Sequence, residues 1–134
     1  MKPEQAFWNN DLRPLFQSVR GLFYERVELR TGQAGFPDLV YCYKNQRVGA
    51  IELKARMKEY WDLSTWTQEQ RAWAQRFTTP NFPVLLLIKG AAGVAAFKAV
   101  DVIQEKRVED GDPRTLMRCS KVSGPWLVQL VCTF

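Results

Sequence analysis

Two acidic residues and one lysine in this sequence have types and spacing suited to hydrolytic chemistry. Asp38 directly follows Pro37, while Glu52 and Lys54 lie two positions apart in the run AIELKA. Because side chains alternate across a strand, Glu52 and Lys54 would project from the same face. Carboxylates bind Mg2+, which polarises a phosphate and acidifies a bound water, and an ammonium group can orient that water. These residue types therefore suit hydrolysis of a phosphodiester.

The elements that must bring these residues together are two short apolar runs. Residues 39–43 (LVYCY) and 48–53 (VGAIEL) are rich in strand-forming residues, and the polar residues 44–47 (KNQR) separate them. This pattern predicts an antiparallel hairpin. Such a hairpin would return Asp38 to the end of the second strand.

Hydrophobic periodicity and turn residues predict the other elements. Helices are predicted at 3–22, with a kink or restart at Pro14, at 68–77 behind a Thr67 cap, and at 101–106. Strands are predicted at 24–29, at 84–88, after Gly90 and at 126–132, with loops at 31–37 and 109–115. The run VLLLI at 84–88 is apolar on both faces, which is typical of a central strand.

Composition excludes several classes of enzyme. The 134 residues are 46% hydrophobic and 25% charged, which indicates one globular domain. The absence of histidine excludes Ser-His-Asp and Cys-His catalysis and zinc sites that need histidine. Three cysteines can form neither a disulfide framework nor a four-thiolate zinc site.

Charge and hydropathy indicate the environment. A net charge of +5 suits a polyanionic partner without requiring one. The first eleven residues lack the apolar segment of a signal peptide. The run 82–97 is interrupted by Lys89 and is too short to span a membrane. We therefore expect a soluble, cytoplasmic protein.

The segments G-F-P-D at 35–38 and I-E-L-K at 51–54 resemble the PD-(D/E)XK nuclease superfamily. With Glu4 on a leading helix and the run TQEQRAW at 67–73, the chain resembles more narrowly the virus-type replication-repair nuclease (VRR-NUC) family, many of whose members are small and phage-encoded. The resemblance covers about residues 4–88. It implies a restriction-endonuclease-like α/β core, with a central mixed sheet flanked by helices. We expect a single domain 1–134, in which residues 89–134 match no family motif and form a C-terminal addition.

The resemblance also implies a metal site and a catalytic lysine. Asp38 and Glu52 match the metal ligands, and the backbone carbonyl of Leu53 would complete the shell. Lys54 matches the lysine that positions or activates water. The implied cofactor is Mg2+, with Mn2+ as a substitute. The environment would be the cytoplasm of a bacterial cell or a phage-infected host.

A glutamine and a further acid complete the implied site. Gln70 matches the glutamine of the helix after the hairpin and would orient water or contact phosphate; Gln68 is the alternative. Gln70 is preferred because the family pattern has an aromatic residue three positions later, where Trp73 lies. Glu4 matches an additional acid that would support a second metal ion, and it is equally compatible with a solvated helix start.

Basic and aromatic residues surround these positions. The residues expected to contact DNA phosphates are Arg56, Lys58 and Arg71. Tyr60, Trp61 and Trp66 lie in a linker after the hairpin. They could cover the core, stack on nucleotides or bury themselves in a dimer, and covering the core is favoured.

Together with these residues, the resemblance implies a metal-dependent endodeoxyribonuclease that acts on branched DNA, such as Holliday junctions or flaps, in phage replication, recombination or repair. Small stand-alone relatives include homodimeric junction resolvases, whereas versions within larger repair proteins act as monomers, so a homodimer remains open. Two alternatives also remain open. One is a catalytically silent DNA- or protein-binding module, and the other is a sequence-specific restriction-like nuclease.

Overall fold

Helical segments lie at both ends of the described chain, and the strands lie between them together with a further α-helix and a 3-10 helix. The computed structural model describes residues 2–27 and 35–134. In chain order the elements are α1 (Pro3–Ala6), a π-helical segment (Phe7–Leu12), α2 (Arg13–Ser18), β1 (Leu22–Arg26), β2 (Leu39–Tyr43), β3 (Arg47–Ala55), β4 (Trp61–Asp62), α3 (Gln68–Phe77), β5 (Val84–Gly90), β6 (Gly93–Lys98), a 3-10 helix (Ala99–Val102), β7 (Arg107–Val108), β8 (Met117–Cys119) and α4 (Gly124–Thr133). No helix among the described residues is long and apolar enough to cross a membrane.

The described strands form one large sheet and one small one. The six-stranded sheet has the order β1-β2-β3-β5-β6-β8. Within it β3 and β5 are parallel, and the other neighbouring strands are antiparallel. Strands β4 and β7 pair separately. A central mixed sheet flanked by helices confirms the predicted α/β fold class.

The predicted hairpin is present. β2 and β3 pair antiparallel, with Leu39 opposite Ile51 and Tyr43 opposite Arg47. Lys44 and Asn45 form the turn with φ angles of 51° and 57°. Asparagine adopts this left-handed conformation more readily than most residues.

The N-terminal helix ends earlier than predicted. Helical structure runs from Pro3 to Ser18 and includes a π-helical segment just before Pro14, which lacks a backbone N–H to donate. The predicted restart at Pro14 is therefore a change of helix type. β1 begins at Leu22 and ends at Arg26, two residues before the stretch 28–34. The end of the predicted strand 24–29 and most of the predicted loop 31–37 lie outside the described residues.

The prediction of a strand at 126–132 is wrong, because these residues belong to α4. The Ser123 side chain accepts a hydrogen bond from the Trp126 N–H, and Pro125 lies in the first turn, where its missing N–H costs nothing. The buried residues Leu127, Leu130 and Val131 recur at helical spacing. The predicted helix 101–106 is also corrected, since the helical residues there form the 3-10 turn Ala99–Val102.

The sheet is covered on both faces. One hydrophobic cluster joins the N-terminal helical segments and α4 to one face, through residues such as Phe7, Phe16, Leu53 and Leu130. The other joins α3 and the segment 61–66 to the opposite face. β5 lies between β3 and β6 and is buried on both faces, as predicted for a central strand. Residues beyond 88 thus supply two strands of the sheet and part of its covering layer.

Candidate active site

The site lies where β3 extends beyond its partner β2. The register places Leu39 opposite Ile51, and its continuation by one residue places Asp38 opposite Glu52. Alternation puts Leu53 in the cluster with the N-terminal helical segments, so Glu52 and Lys54 lie on the other face. The hairpin therefore brings Asp38 to the part of β3 that carries the other two residues, as the sequence predicted.

Asp38 is fixed to the edge of β3 by a hydrogen bond. Its Oδ2 accepts from the Leu53 N–H at 2.7 Å. In a strand the N–H and C=O of one residue point to the same side, so the Leu53 carbonyl faces the side on which Asp38 lies. A carboxylate and a backbone carbonyl thus converge at the end of β2.

Gly35 lies against α3. Its φ of 104° favours glycine, and a Cβ there would lie 2.7 Å from the backbone oxygen of Glu69. The residues 35–37 that lead to Asp38 therefore begin against the first turn of α3. This contact explains why a glycine precedes the Pro37-Asp38 pair.

Lys54 is the central group of the site. The side chain is 3% exposed, and Nζ lies 3.5 Å from Glu52 Oε1 and 3.7 Å from Glu4 Oε1. Nζ also donates to Gln70 Oε1 at 3.1 Å and to the Thr65 carbonyl at 3.2 Å. Acceptors from four segments therefore hold one buried ammonium group.

Gln70 lies in this group because of the local structure of α3. Its backbone N–H donates to Thr67 Oγ1, and its side-chain oxygen accepts from the Thr67 N–H, which completes a capping box. The same oxygen accepts from Lys54 Nζ. Gln68 is exposed and lies in a surface depression beside Ser64 and Gln104. Of the two glutamines, Gln70 is the one that contacts Lys54.

Burial and like charge destabilise the ionised form of Glu52. Burial raises its pKa well above the ordinary value of 4.5, Asp38 raises it further, and Lys54 opposes the shift. Burial also raises the pKa of Glu4, again with Asp38 adding to the shift and Lys54 opposing it. A second cation near Asp38 and Glu52 would relieve this repulsion.

The oxygen donors resemble the sparse protein shell that Mg2+ accepts. Within residues 2–27 and 35–134, no group of three or more Asp, Glu, Cys and His side chains is arranged to hold a metal ion. Mg2+ usually keeps several waters and needs only one or two carboxylates. Asp38, Glu52 and the Leu53 carbonyl therefore fit such an ion. The Glu4 carboxylate lies instead beside the Lys54 ammonium group.

The three predicted DNA-contacting residues differ in exposure. Lys58 is exposed, and Arg56 is 44% exposed at the side chain while it contacts Ser64 Oγ and Asp62. Arg71 is buried, and its guanidinium nitrogens donate to three backbone carbonyls, those of Leu63, Trp66 and Ile103. This position argues against a DNA contact by Arg71 and gives it a structural role.

The aromatic linker covers the core, as favoured from the sequence. Trp61 and Trp66 are 2% and 3% exposed and belong to the hydrophobic cluster under α3. Tyr60 stacks beneath Arg107, whose guanidinium carbon lies 3.7 Å from the ring centroid. Packing of this linker also places the Thr65 carbonyl at Lys54, a contact with no sequence signal because any residue has a carbonyl.

Comparison with known proteins finds similarity at the level of solved structures. No protein-family profile matches the chain, and no curated protein is significantly similar to it. Among solved structures the fold is similar to Hjc, a Holliday junction resolvase of the archaeal hyperthermophile Archaeoglobus fulgidus. The match has 24% sequence identity and a TM-score of 0.49, and it covers 72% of this chain and 78% of the resolvase.

Proposed function

We propose that this protein is a metal-dependent endonuclease of the PD-(D/E)XK type that hydrolyses phosphodiester bonds in branched DNA during phage replication, recombination or repair. The observation that carries this proposal is the convergence of Asp38, Glu52 and buried Lys54 at the end of one strand. A catalytically silent module would not need a buried lysine beside an acid destabilised by its neighbours. The restriction to branched DNA rests on the sequence resemblance.

The metal site would consist of Asp38, Glu52 and the Leu53 carbonyl. A bound Mg2+, or Mn2+ as a substitute, polarises a phosphate and lowers the pKa of water. The hydrogen bond from the Leu53 N–H holds the Asp38 carboxylate at the strand edge. The buried position of Glu52 keeps bulk water away from its carboxylate. These two side chains would offer oxygen donors to a metal ion at this end of β3.

Lys54 would orient the attacking water and stabilise charge on the phosphate. Its ammonium group already has Gln70 and the Thr65 carbonyl as acceptors, which fix its position. Gln70 is a positioning residue in this scheme, because its oxygen contacts Lys54 and its backbone is fixed by the α3 cap. Glu4 Oε1 lies 3.7 Å from Lys54 Nζ and adds a carboxylate contact to the ammonium group.

Arg56 and Lys58 would bind phosphates of the DNA backbone beside the site. Both follow β3 directly and have exposed side chains. Each phosphate contact displaces counterions, so affinity should fall steeply with salt. We expect Lys58→Ala to lower the slope of log affinity against log salt by about one, when affinity is measured by fluorescence anisotropy.

The direct test is a cleavage assay on four-way junction, flap, single-stranded and duplex DNA with Mg2+, Mn2+ or EDTA. We expect metal-dependent cleavage of branched substrates by the wild type and its loss in Asp38→Ala and Lys54→Ala. Lys98→Ala is the matched control, since Lys98 is exposed on β6. Solution mass measured on the same samples distinguishes a monomer from a homodimer.

Two results would contradict the proposal. One is the absence of a metal-dependent product from every substrate, combined with metal-independent DNA binding, which would favour the silent binding module. The other is equal activity of Lys54→Ala and the wild type. Discrete fragments from plasmid DNA would instead favour the restriction-like alternative.

A further inference from the structure

Next to the candidate active site lies a cluster of three aromatic rings, called here the aromatic platform, in which Phe36 and Phe77 are exposed and Trp73 is half-buried. The Phe36 and Trp73 ring centroids are 5.8 Å apart, and those of Trp73 and Phe77 are 4.6 Å apart in a stacked arrangement. Phe36 is 39% exposed and Phe77 is 45% exposed. Large apolar side chains that remain exposed together usually mark a binding surface.

The platform is connected to the site through both chain segments that form it. Phe36 lies two residues before Asp38 and directly after Gly35, which lies against α3. Trp73 and Phe77 lie three and seven positions after Gln70, on the same face of α3 as this glutamine. At a rise of about 1.5 Å per residue, Phe77 lies roughly 10 Å along the helix from Gln70.

The chemistry of the platform suits a nucleobase more than an apolar protein surface. Trp73 also packs against the core cluster, which holds the neighbouring phenylalanine rings in place. The guanidinium carbon of Arg76 lies 5.7 Å from the Phe77 centroid, so a positive charge borders the rings. Flat aromatic faces beside a basic group are the usual means of holding unpaired bases, because every base has a π-face and each nucleotide carries a phosphate.

We propose that the aromatic platform stacks on an unpaired nucleobase of the DNA strand whose phosphate lies at Asp38, Glu52 and Lys54. The inference rests on the proposed nuclease function and extends it, because it explains how a site without base-specific contacts could prefer branched DNA. Bases next to a branch point are readily unstacked, whereas those of a continuous duplex are not. The short distance along α3 places the stacked base within a few nucleotides of the cleaved bond.

The test compares a forked duplex that has unpaired nucleotides with a continuous duplex, in EDTA so that binding is measured without cleavage. A 2-aminopurine base at each unpaired position reports stacking by loss of its fluorescence. Phe36→Leu and Phe77→Leu keep an apolar side chain and remove the aromatic face. Phe23→Leu is the matched control, because Phe23 is 64% exposed on the edge strand β1.

We expect the wild type to quench the probe, and Phe36→Leu and Phe77→Leu to weaken binding of the forked duplex about five- to tenfold. Binding of the continuous duplex and the behaviour of Phe23→Leu should not change. Equal quenching and affinity in the wild type and both platform variants would overturn the inference, even where Mg2+-dependent cleavage is intact. Quenching that depends on Phe36, without cleavage in Mg2+, would support the platform and contradict the nuclease function.

Discussion

Glu52 and Asp62 are both carboxylates removed from solvent, yet their pKa values shift in opposite directions. Glu52 is 3% exposed and Asp62 is 4% exposed. Burial raises the pKa of Glu52, and the neighbouring Asp38 raises it further. Burial would also raise the pKa of Asp62, but hydrogen bonds from Ser64 and the charge of Arg56 outweigh it and lower the pKa.

The difference lies in the donors that surround each group. Asp62 Oδ1 accepts from the Ser64 N–H at 2.8 Å, and Arg56 lies 3.4 Å from its other oxygen. Glu52 has one described cation, Lys54 at 3.5 Å, which it shares with Glu4. Asp62 therefore stabilises the turn that follows β4. The ionised form of Glu52, in contrast, lowers the stability of the folded protein. Such arrangements are typical of functional sites.

The largest expected contrast between the two acids is in activity. Under the proposed function, Glu52→Gln should lower kcat for metal-dependent DNA cleavage about 100- to 1000-fold, because it would remove a charged ligand of the metal ion. Asp62→Asn should change kcat by no more than a few-fold. Single-turnover cleavage of a labelled flap or junction measures both. Similar losses in the two variants would show that burial, and not position, determines the effect.

The two substitutions should change stability with opposite sign. In the absence of metal at pH 8, Glu52→Gln should raise the free energy of unfolding, because it removes a buried charge that Asp38 repels. Asp62→Asn should lower it by about 1 kcal/mol, since a hydrogen bond to a neutral amide is weaker than one to a carboxylate. Urea unfolding followed by tryptophan fluorescence measures both values. A destabilised Glu52→Gln protein would show that the Glu52–Lys54 pair supports the fold.

The pH dependence of stability should separate the same two groups. The pKa of Glu52 in the folded protein lies above 4.5. Its contribution to the free energy of unfolding is therefore fully present at lower pH and is lost as pH rises through the raised pKa. The pKa of Asp62 lies below 3.8, so its contribution is present above that pH and is lost as pH falls through the lowered pKa. We therefore expect urea unfolding in EDTA from pH 3 to pH 8 to separate the two variants. Glu52→Gln should reduce the fall in the free energy of unfolding at higher pH, and Asp62→Asn should reduce the fall at lower pH. Unchanged profiles would contradict this assignment.

Local periodicity was sufficient to predict the part of the site that lies on the hairpin. Alternation placed Glu52 and Lys54 on one face, and the turn between β2 and β3 returned Asp38 to them. The contact of Lys54 with the Thr65 carbonyl could not be predicted, because it depends on how Trp61 and Trp66 pack. The burial of Arg71 could not be predicted either, because arginine is most often exposed and its position here depends on tertiary packing.

The C-terminal segment shows a limit of the same approach. The run WLVQLVC at 126–132 is apolar at nearly every position, so its periodicity distinguishes poorly between strand and helix. Ser123 and Pro125 were the informative signals, since they form the start of α4. The helix covers the sheet beside the N-terminal helical segments, which explains why residues beyond 88 belong to the same core.

The smallest predicted effect concerns Gln70, which both caps α3 and contacts Lys54. Gln70→Ala should lower the free energy of unfolding by about 0.5–1 kcal/mol through loss of the capping box. It should also lower kcat about threefold, because Lys54 loses an acceptor that fixes its position. Thr67→Ala is the matched control, since it removes the hydroxyl cap but leaves Gln70 and Lys54 in place. It should destabilise α3 to a similar extent with kcat unchanged. If Thr67→Ala lowers kcat as much as Gln70→Ala, the role of Gln70 is confined to the helix cap.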